Sequence, residues 1–235
     1  MFKQFFPPTV VTFISDSTMD YTLKMDNPRQ ELPLTLEQKE RLFQQTDIPI
    51  QKLVNLVQVH QDRILSISSP QQYTQASLQE ADGWITNLKN VPLVVRTADC
   101  LPVFLFDEAG CIGLIHAGWR GTKLKIVTQA VDMMVRQFHA DLARIQVGFG
   151  PAIHQCCYEV GEEFVQHFPQ ETVKFNGRYH LDLVAANRNQ LLQLGLKQTQ
   201  IFDVDICTCC DHNYFSYRRE GPKAGRMISL MMLKN

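Results

Sequence analysis

A chain of 235 residues, 45% of them hydrophobic and with a formal net charge of -1, can bury a large core and suits one large domain or two small ones. It lacks the basic surplus of a nucleic-acid or anionic-membrane binder, and no apolar run approaches membrane-spanning length. Seven cysteines, an odd number that includes adjacent pairs, do not read as a secreted disulfide framework, and Met1–Pro8 is too short and poorly patterned for a secretory signal, so a reducing cytoplasm is the expected setting.

Thr9–Ile14 reads as a first strand, and the polar stretch Asp16–Pro33 as a long connection with a turn at Asp26-Asn27-Pro28. Thr35-Leu36-Glu37-Gln38 has the form of a capping box. It predicts a short helix to about Gln45 that buries Leu36, Leu42 and Phe43 and stops at Pro49. Leu53–His60 is rich in Val and Leu and reads as a strand that delivers Gln58-Val59-His60 to its end, with Arg63–Ile67 returning as its partner. Ser68–Ser77 reads as a polar loop around Pro70, Trp84–Thr86 as a strand, and Asn87–Asn90 as a turn. The strand Val91–Thr97 then leads into Asp99-Cys100.

Leu101–Phe106 and Cys111–Ile115 are short apolar runs joined by Asp107-Glu108-Ala109-Gly110, the pattern of a hairpin. An antiparallel pair brings its open ends together, so Cys100 before the first strand and His116 after the second face one spot. Gly118 and Gly121 flank Trp119-Arg120 and let the backbone approach whatever binds there. Leu124, Val127, Val131, Met134 and Phe138 then recur at helical spacing, with Thr122 as the expected cap and free amides suited to an anion.

Ile145–Phe149 reads as a strand, and Glu162–Phe168 as a short helix. Tyr179-His180-Leu181-Asp182 opens another helix, stopped by Gly195. Ile201–Asp205, Tyr214–Arg218 and Arg226–Leu233 read as the last strands, with a turn at Glu220–Gly225. Without repeats or low-complexity linkers, the pattern predicts a single α+β domain over residues 1–235 with mixed β-sheets.

Three candidate ligands stand at strand ends: His60, Cys100 and His116. One Cys and two His suit zinc, and three protein ligands leave the open position of a catalytic site. The same residue types serve equally as two hydrogen-bonded histidines and an inert buried thiol. Cys207, Cys209 and Cys210, with Cys156 or Cys157, form a rival set. Read as Cys-x-Cys-Cys they lack zinc-ribbon spacing, so they are expected to be packing or redox-idle thiols without a second metal. His139, His154, His167, His180 and His212 are scattered, and Arg218-Arg219 suits either an anion or a solvated strand edge.

Several blocks occur in order from Leu53 to the C-terminus: Gln58-Val59-His60, Ala81-Asp82-Gly83, Thr97-Ala98-Asp99-Cys100-Leu101-Pro102, His116-Ala117-Gly118-Trp119-Arg120-Gly121, Gly150-Pro151-Ala152-Ile153, Cys156-Cys157-Tyr158-Glu159-Val160 and Phe215-Ser216-Tyr217-Arg218-Arg219. Together they closely resemble the YfiH-type laccase-domain family, known also as polyphenol oxidase, multifunctional purine nucleoside phosphorylase and peptidoglycan editing factor. One departure is His154-Gln155, where the family pattern has Gly-Pro, and the part ahead of Leu53 matches weakly.

The resemblance implies zinc on His60, Cys100 and His116. It also implies phosphorolysis of adenosine and inosine to ribose 1-phosphate and free base, action on methylthioadenosine, and adenosine deamination. The implied fold is one of paired sheets flanked by helices, related to deamidating toxins that use a Cys–His pair. Catalytic roles are expected for Cys100, His60 and His116, and substrate contacts for Arg120, Asp82 and Arg218. Asp82 or Asp99 is expected to orient a ligand imidazole or move a proton. The implied partners are purine nucleosides and phosphate, and the chain is expected to be a monomer or weak homodimer.

Copper is the alternative metal, but seven His without a His-x-His pair do not suit a multicopper polyphenol oxidase. The His-x-Glu … Pro-Cys-x-x-Cys signature of zinc deaminases is absent as well. Two other readings stand beside phosphorolysis. In one, Cys100 is a nucleophile activated by His116 in an amidase that edits peptidoglycan precursors. In the other, the site binds zinc or nucleosides without turnover.

Overall fold

In the computed structural model, residues 2, 4–21, 35–46, 48, 53–77 and 79–234 are described. In chain order the elements are β1 (Val10–Ile14), α1 (Leu36–Thr46), β2 (Ile64–Ile67), α2 (Pro70–Gln75), β3 (Gly83–Thr86), β4 (Leu93–Thr97), β5 (Leu101–Asp107), β6 (Cys111–Ala117), α3 (Trp119–Lys123) and α4 (Ile126–Phe138). They continue with β7 (Gln146–Phe149), β8 (Glu159–Val160), α5 (Phe164–His167), β9 (Thr172–Phe175), β10 (Arg178–Leu181), α6 (Leu183–Leu194), β11 (Ile201–Asp203), α7 (Tyr217–Glu220) and β12 (Met227–Leu233). Among the described residues no helix is long and apolar enough to cross a membrane.

The architecture is α+β, as the sequence pattern predicts. A six-stranded mixed sheet runs β11-β7-β5-β6-β3-β2, with β5 and β6 forming the expected hairpin at its centre. A second sheet runs β1-β12-β4 and a third β8-β10-β9. Period-two alternation sends Phe104, Phe106, Ile112 and Leu114 to one face of the large sheet, against Leu93, Val95 and Met231 of the second. Val103, Leu105 and Ile115 take the other face, against Val127, Val131 and Met134 of α4. The outer face of the second sheet packs Val94, Leu230 and Met232 with Leu42 of α1 and Tyr21.

Trp84 joins the two sheets. It has no exposed surface, and its Nε1–H donates to the Val94 carbonyl at 2.9 Å. Trp84→Ala opens a cavity and orphans that carbonyl, so it is expected to cost about 3–5 kcal/mol. Denaturant unfolding of the variant checks this, and a loss below about 1 kcal/mol would contradict the packing described.

Some expected elements differ. Among the described residues Leu53–His60 forms no ladder, only a single bridge from Val57 to Glu80, and β2 pairs in parallel with β3. Leu53, Val54 and Leu56 are apolar because they are buried, while side chains satisfy nearby backbone: Val54 N–H donates to the Tyr73 hydroxyl, and the Gln58 amide exchanges two bonds with the Arg96 backbone. Ser68–Ser77 contains α2, not only loop, because Ser69 and Gln72 form a capping box with Pro70 in the first turn.

The Thr35–Gln38 capping box forms, but Leu36 and Phe43 are 68% and 41% exposed, and only Leu42 of α1 is buried. The turn expected at Asp26-Asn27-Pro28 and the stop at Pro49 lie outside the described residues. Tyr179–Leu181 belongs to β10, and the helix begins only after Asp182, whose carboxylate caps it. That strand closes a hairpin with β9 through Asn176-Gly177, both at positive φ, a two-residue turn signal the sequence reading passed over. Tyr214–Arg218 is not a strand: Ser216 caps α7 there.

Candidate active site and metal centre

The β5–β6 hairpin pairs Pro102 with His116, so Cys100 lies beside His116 at its open end. His60 enters from the loop ahead of β2 at a left-handed φ of 58°. The three residues offer ligand atoms that all lie within 4.8 Å of one another. The two imidazoles meet edge to face, with centroids 4.7 Å apart.

Asp82 holds this arrangement. Its carboxylate is fully buried and accepts the amides of Val59 at 3.3 Å, His60 at 2.9 Å and Gln61 at 2.8 Å. Three consecutive amides on one carboxylate offset the unfavourable backbone of His60. The same carboxylate bonds His116 Nδ1 at 2.8 Å, which leaves Nε2 for Cys100 and the cavity. Burial opposes its charge, but His116 and these amides together hold its pKa below the ordinary value. Asp82 is not among the residues lining the cavity, so the expectation of a substrate contact is corrected to that of a positioning residue. Asp82→Asn is expected to weaken metal binding about 10–100-fold. Competition with a chromophoric chelator measures this, and unchanged affinity in a folded variant would refute the positioning role.

Cys100 and His116 polarise each other. Burial pushes the Cys100 thiol up, but the His116 charge and hydrogen bonds from both imidazoles outweigh it and bring the pKa down to about 6. Burial pushes His116 down, yet the Cys100 thiolate and Asp82 raise it to about 10. The pair therefore favours thiolate and imidazolium near neutral pH.

Gly118 and Gly121 serve packing within the protein. A Cβ at Gly118 would lie 3.0 Å from Cys100 Sγ, and one at Gly121 would lie 2.8 Å from the Gln61 carbonyl. Thr122 is not the helix cap. The helix is broken at Lys125, whose φ is 62°, and its first turn, α3, is capped by Gly118. Thr122 is buried inside that turn, its amide bonded to the Gly118 carbonyl and its hydroxyl to Asn187. The Thr122 amide is therefore not free to take an anion.

A cavity of about 770 Å³ opens over the three donors. Arg120 and Arg218 line it, as do Arg96 and Arg226, with Trp119, Tyr158 and Tyr217 as aromatic walls. Arg120 stacks on Trp119 at 4.7 Å and, among the described residues, makes no ion pair. Arg218 lies over Tyr158 and donates to the Glu159 carbonyl at 2.8 Å. Its amide donates to Asp99, which also accepts the Thr208 hydroxyl, so Asp99 fixes the start of α7. Arg219 turns away and clamps the carbonyls of Thr208, Cys209 and Tyr214. Arg226 and Tyr217 also line the cavity, although the sequence around them reads only as strand and turn.

The family model described as multi-copper polyphenol oxidoreductase laccase matches residues 24–234. The chain is similar to a protein named adenosine deaminase RL5, from an unknown prokaryotic organism, at 39% identity over 166 residues, 66% of this chain and 63% of that one. It thus spans just under two thirds of that relative's length. It is similar to a protein named purine nucleoside phosphorylase from Bacteroides thetaiotaomicron at 34% identity, covering 87% of this chain and 79% of that one. The crystal structure of YlmD from Geobacillus stearothermophilus superposes with a TM-score of 0.83 at 27% identity, over 97% of this chain and 93% of that one.

Proposed function

The chain belongs to the multi-copper polyphenol oxidoreductase laccase family, and from that membership and the cavity's make-up we propose that it is a purine nucleoside phosphorylase using zinc on His60, Cys100 and His116. The observation that carries the reading is one cavity combining two imidazoles and a thiolate with arginines and aromatic walls. The donor set fits zinc: Nδ1 of His116 is anchored, and Cys100 is held as thiolate. Zinc, when bound, supplies a Lewis acid with an open position.

The chain's own residues do the rest. Arg120 and Arg218 hold phosphate by charge-assisted hydrogen bonds. Trp119, Tyr158 and Tyr217 pack the purine. A phosphate oxygen attacks C1′ of the ribose, the bond from C1′ to the base breaks, and its electron pair leaves on the purine, which takes up a proton. Adenosine, inosine and methylthioadenosine are the substrates, and adenosine deamination accompanies cleavage. Chromatography of inosine reactions with and without phosphate tests this: hypoxanthine and ribose 1-phosphate should form only with phosphate. Base release at the same rate without phosphate would exclude phosphorolysis.

The family's descriptive name does not fit a multicopper reaction here. Among the described residues only two groups of three or more His, Cys, Asp or Glu could share a metal, this one and a set of four cysteines. Neither supplies the many imidazoles that several coppers need. A single copper on His60, Cys100 and His116 remains the alternative occupant.

A second reading rests on a different observation: Cys100, His116 and Asp82 stand in the order of a nucleophile, its base and the orienting carboxylate. In metal-free protein, Cys100 would then attack an amide carbonyl. Alkylation of that protein by iodoacetamide should show a half-maximal rate near pH 6, because the thiolate forms with a pKa of about 6 instead of the ordinary value of 9.0. A midpoint near the ordinary value would remove this reading. So would loss of amidase activity on chelation.

A further inference from the structure

Five cysteines stand outside the site just described and outside the hydrophobic core: Cys156, Cys157, Cys207, Cys209 and Cys210. The fold gathers four of them. Strands β7 and β11 pair in parallel, so the chain leaves their C-terminal ends in the same direction. The register continues past both strands: Ala152 bridges Cys207, the Ala152 amide donates to Ile206, and the Thr208 amide donates back to Ala152. Two residues beyond His154, the Cys156-Cys157 pair therefore meets the turn that carries Cys207 and Cys210.

The sulfur positions have the spread of a ligand shell. Cys156 Sγ lies 3.6 Å from both Cys207 Sγ and Cys210 Sγ, and Cys157 Sγ lies 3.3 Å from Cys210 Sγ. All four lie within 4.8 Å of one another. A disulfide needs about 2.05 Å. Four sulfurs set tetrahedrally at about 2.3 Å from one zinc stand roughly 3.8 Å apart. Small movements of these side chains complete such a shell.

Two further observations separate this group from packed thiols. Cys156 and Cys210 are exposed and Cys157 and Cys207 half-exposed, so burial does not explain them. The His154 backbone amide donates to Cys207 Sγ at 3.5 Å, a donor suited to a thiolate. The spacing argument against a metal also fails. Cys207 and Cys210 are separated by two residues, a zinc-knuckle spacing hidden when Cys209 is counted as a ligand.

We propose that Cys156, Cys157, Cys207 and Cys210 bind one structural zinc ion as a closed four-thiolate site. Its effect is to staple the loop after β7 to the loop after β11. The loop after β7 carries Ile153 and Tyr158 of the cavity wall, and the loop after β11 bonds to Asp99 of that wall through Thr208. Arg218 donates to the Cys157 and Glu159 carbonyls, Tyr158 lines the cavity, and Thr208 donates to Asp99. A zinc here would hold Tyr158 and Arg218 in place without touching substrate. The proposal does not rest on the phosphorylase reading or on the occupant of the His60, Cys100 and His116 site.

The test is metal stoichiometry of the full chain, purified under reducing conditions and measured by elemental mass spectrometry. The wild type is expected to carry two zinc ions, Cys100→Ser one, Cys207→Ser/Cys210→Ser one, and the triple variant none. If the first site holds no zinc, the wild type and Cys100→Ser each carry one and the Cys207→Ser/Cys210→Ser variant none, which sustains this proposal while removing that reading. Absence of zinc from Cys100→Ser overturns the proposal. Because the double variant can misfold, metal-free Cys100→Ser is also titrated with cobalt(II). Intense thiolate-to-cobalt charge-transfer absorption at one equivalent supports the site, as do four sulfur neighbours at about 2.3 Å in X-ray absorption of the zinc form. No such absorption, or an intact mass two hydrogens low from a disulfide in the reduced preparation, overturns it.

Discussion

Replacing Cys100 by Ser is expected to abolish phosphate-dependent base release and to remove zinc from the His60 and His116 pair. The reasoning is physical. Ser in place of the thiolate takes away the soft anionic donor whose charge the two imidazoles stabilise, and a neutral hydroxyl is a poor substitute. Loss of an outer partner of a metal ligand costs about 10–100-fold in affinity or activity, so loss of a direct ligand should exceed about 100-fold. The fold should survive, because Cys100 lies outside the core strands and Ser fits its volume. Circular dichroism and thermal melting verify that. Zinc analysis must count only the ion lost relative to wild type, since the four-cysteine group has its own expected ion. Undiminished zinc together with undiminished base release would refute the assignment of His60, Cys100 and His116 as the metal centre. Retained zinc with lost activity would instead favour Cys100 as a nucleophile.

The second large effect concerns phosphate. Arg120→Ala is expected to raise KM for phosphate about 10- to 150-fold, with a smaller change for inosine. This corresponds to loss of a hydrogen bond to a charged group, about 1.5–3 kcal/mol. Arg120 is exposed at the cavity, and its contact is the face of Trp119. It has no carboxylate partner among the described residues, so its removal should leave stability nearly unchanged. Arg219→Ala provides the contrast. That side chain clamps the carbonyls of Thr208, Cys209 and Tyr214, and its loss should lower Tm before it alters phosphate affinity specifically. Initial rates over a phosphate series at saturating inosine give the comparison. An unchanged KM for phosphate in the Arg120 variant would move the anion to Arg218 or Arg226.

The central hairpin was legible because its information is local. Alternating apolar runs and a four-residue polar link specify β5 and β6 together, and antiparallel pairing then brings Cys100 and His116 to one end. The period of α4 and the apolar run of β12 were readable for the same reason. The misreadings came where tertiary contacts replaced local ones. Leu53–His60 has a strand's composition, but its backbone bonds go to the Tyr73 hydroxyl, the Asp82 carboxylate and single contacts with Gln79 and Ala81 in place of a ladder. Thr122 looked like a cap because the turn at Lys125 lies within an otherwise continuous helical period.

By itself the sequence determined the α+β class, the core hairpin and the placing of a thiol beside an imidazole. These follow from side-chain period and turn chemistry over a few residues. Only the tertiary structure decided that Asp82 cages the His60 loop from 22 positions away, that Arg226 and Tyr217 reach the cavity, and that Cys156 and Cys157 meet Cys207 and Cys210. Each of those depends on pairings between distant segments: β7 with β11, β2 with β3, and β4 with β12. Such pairings are selected by burial and register summed over the whole core, and no short stretch of chain carries that sum.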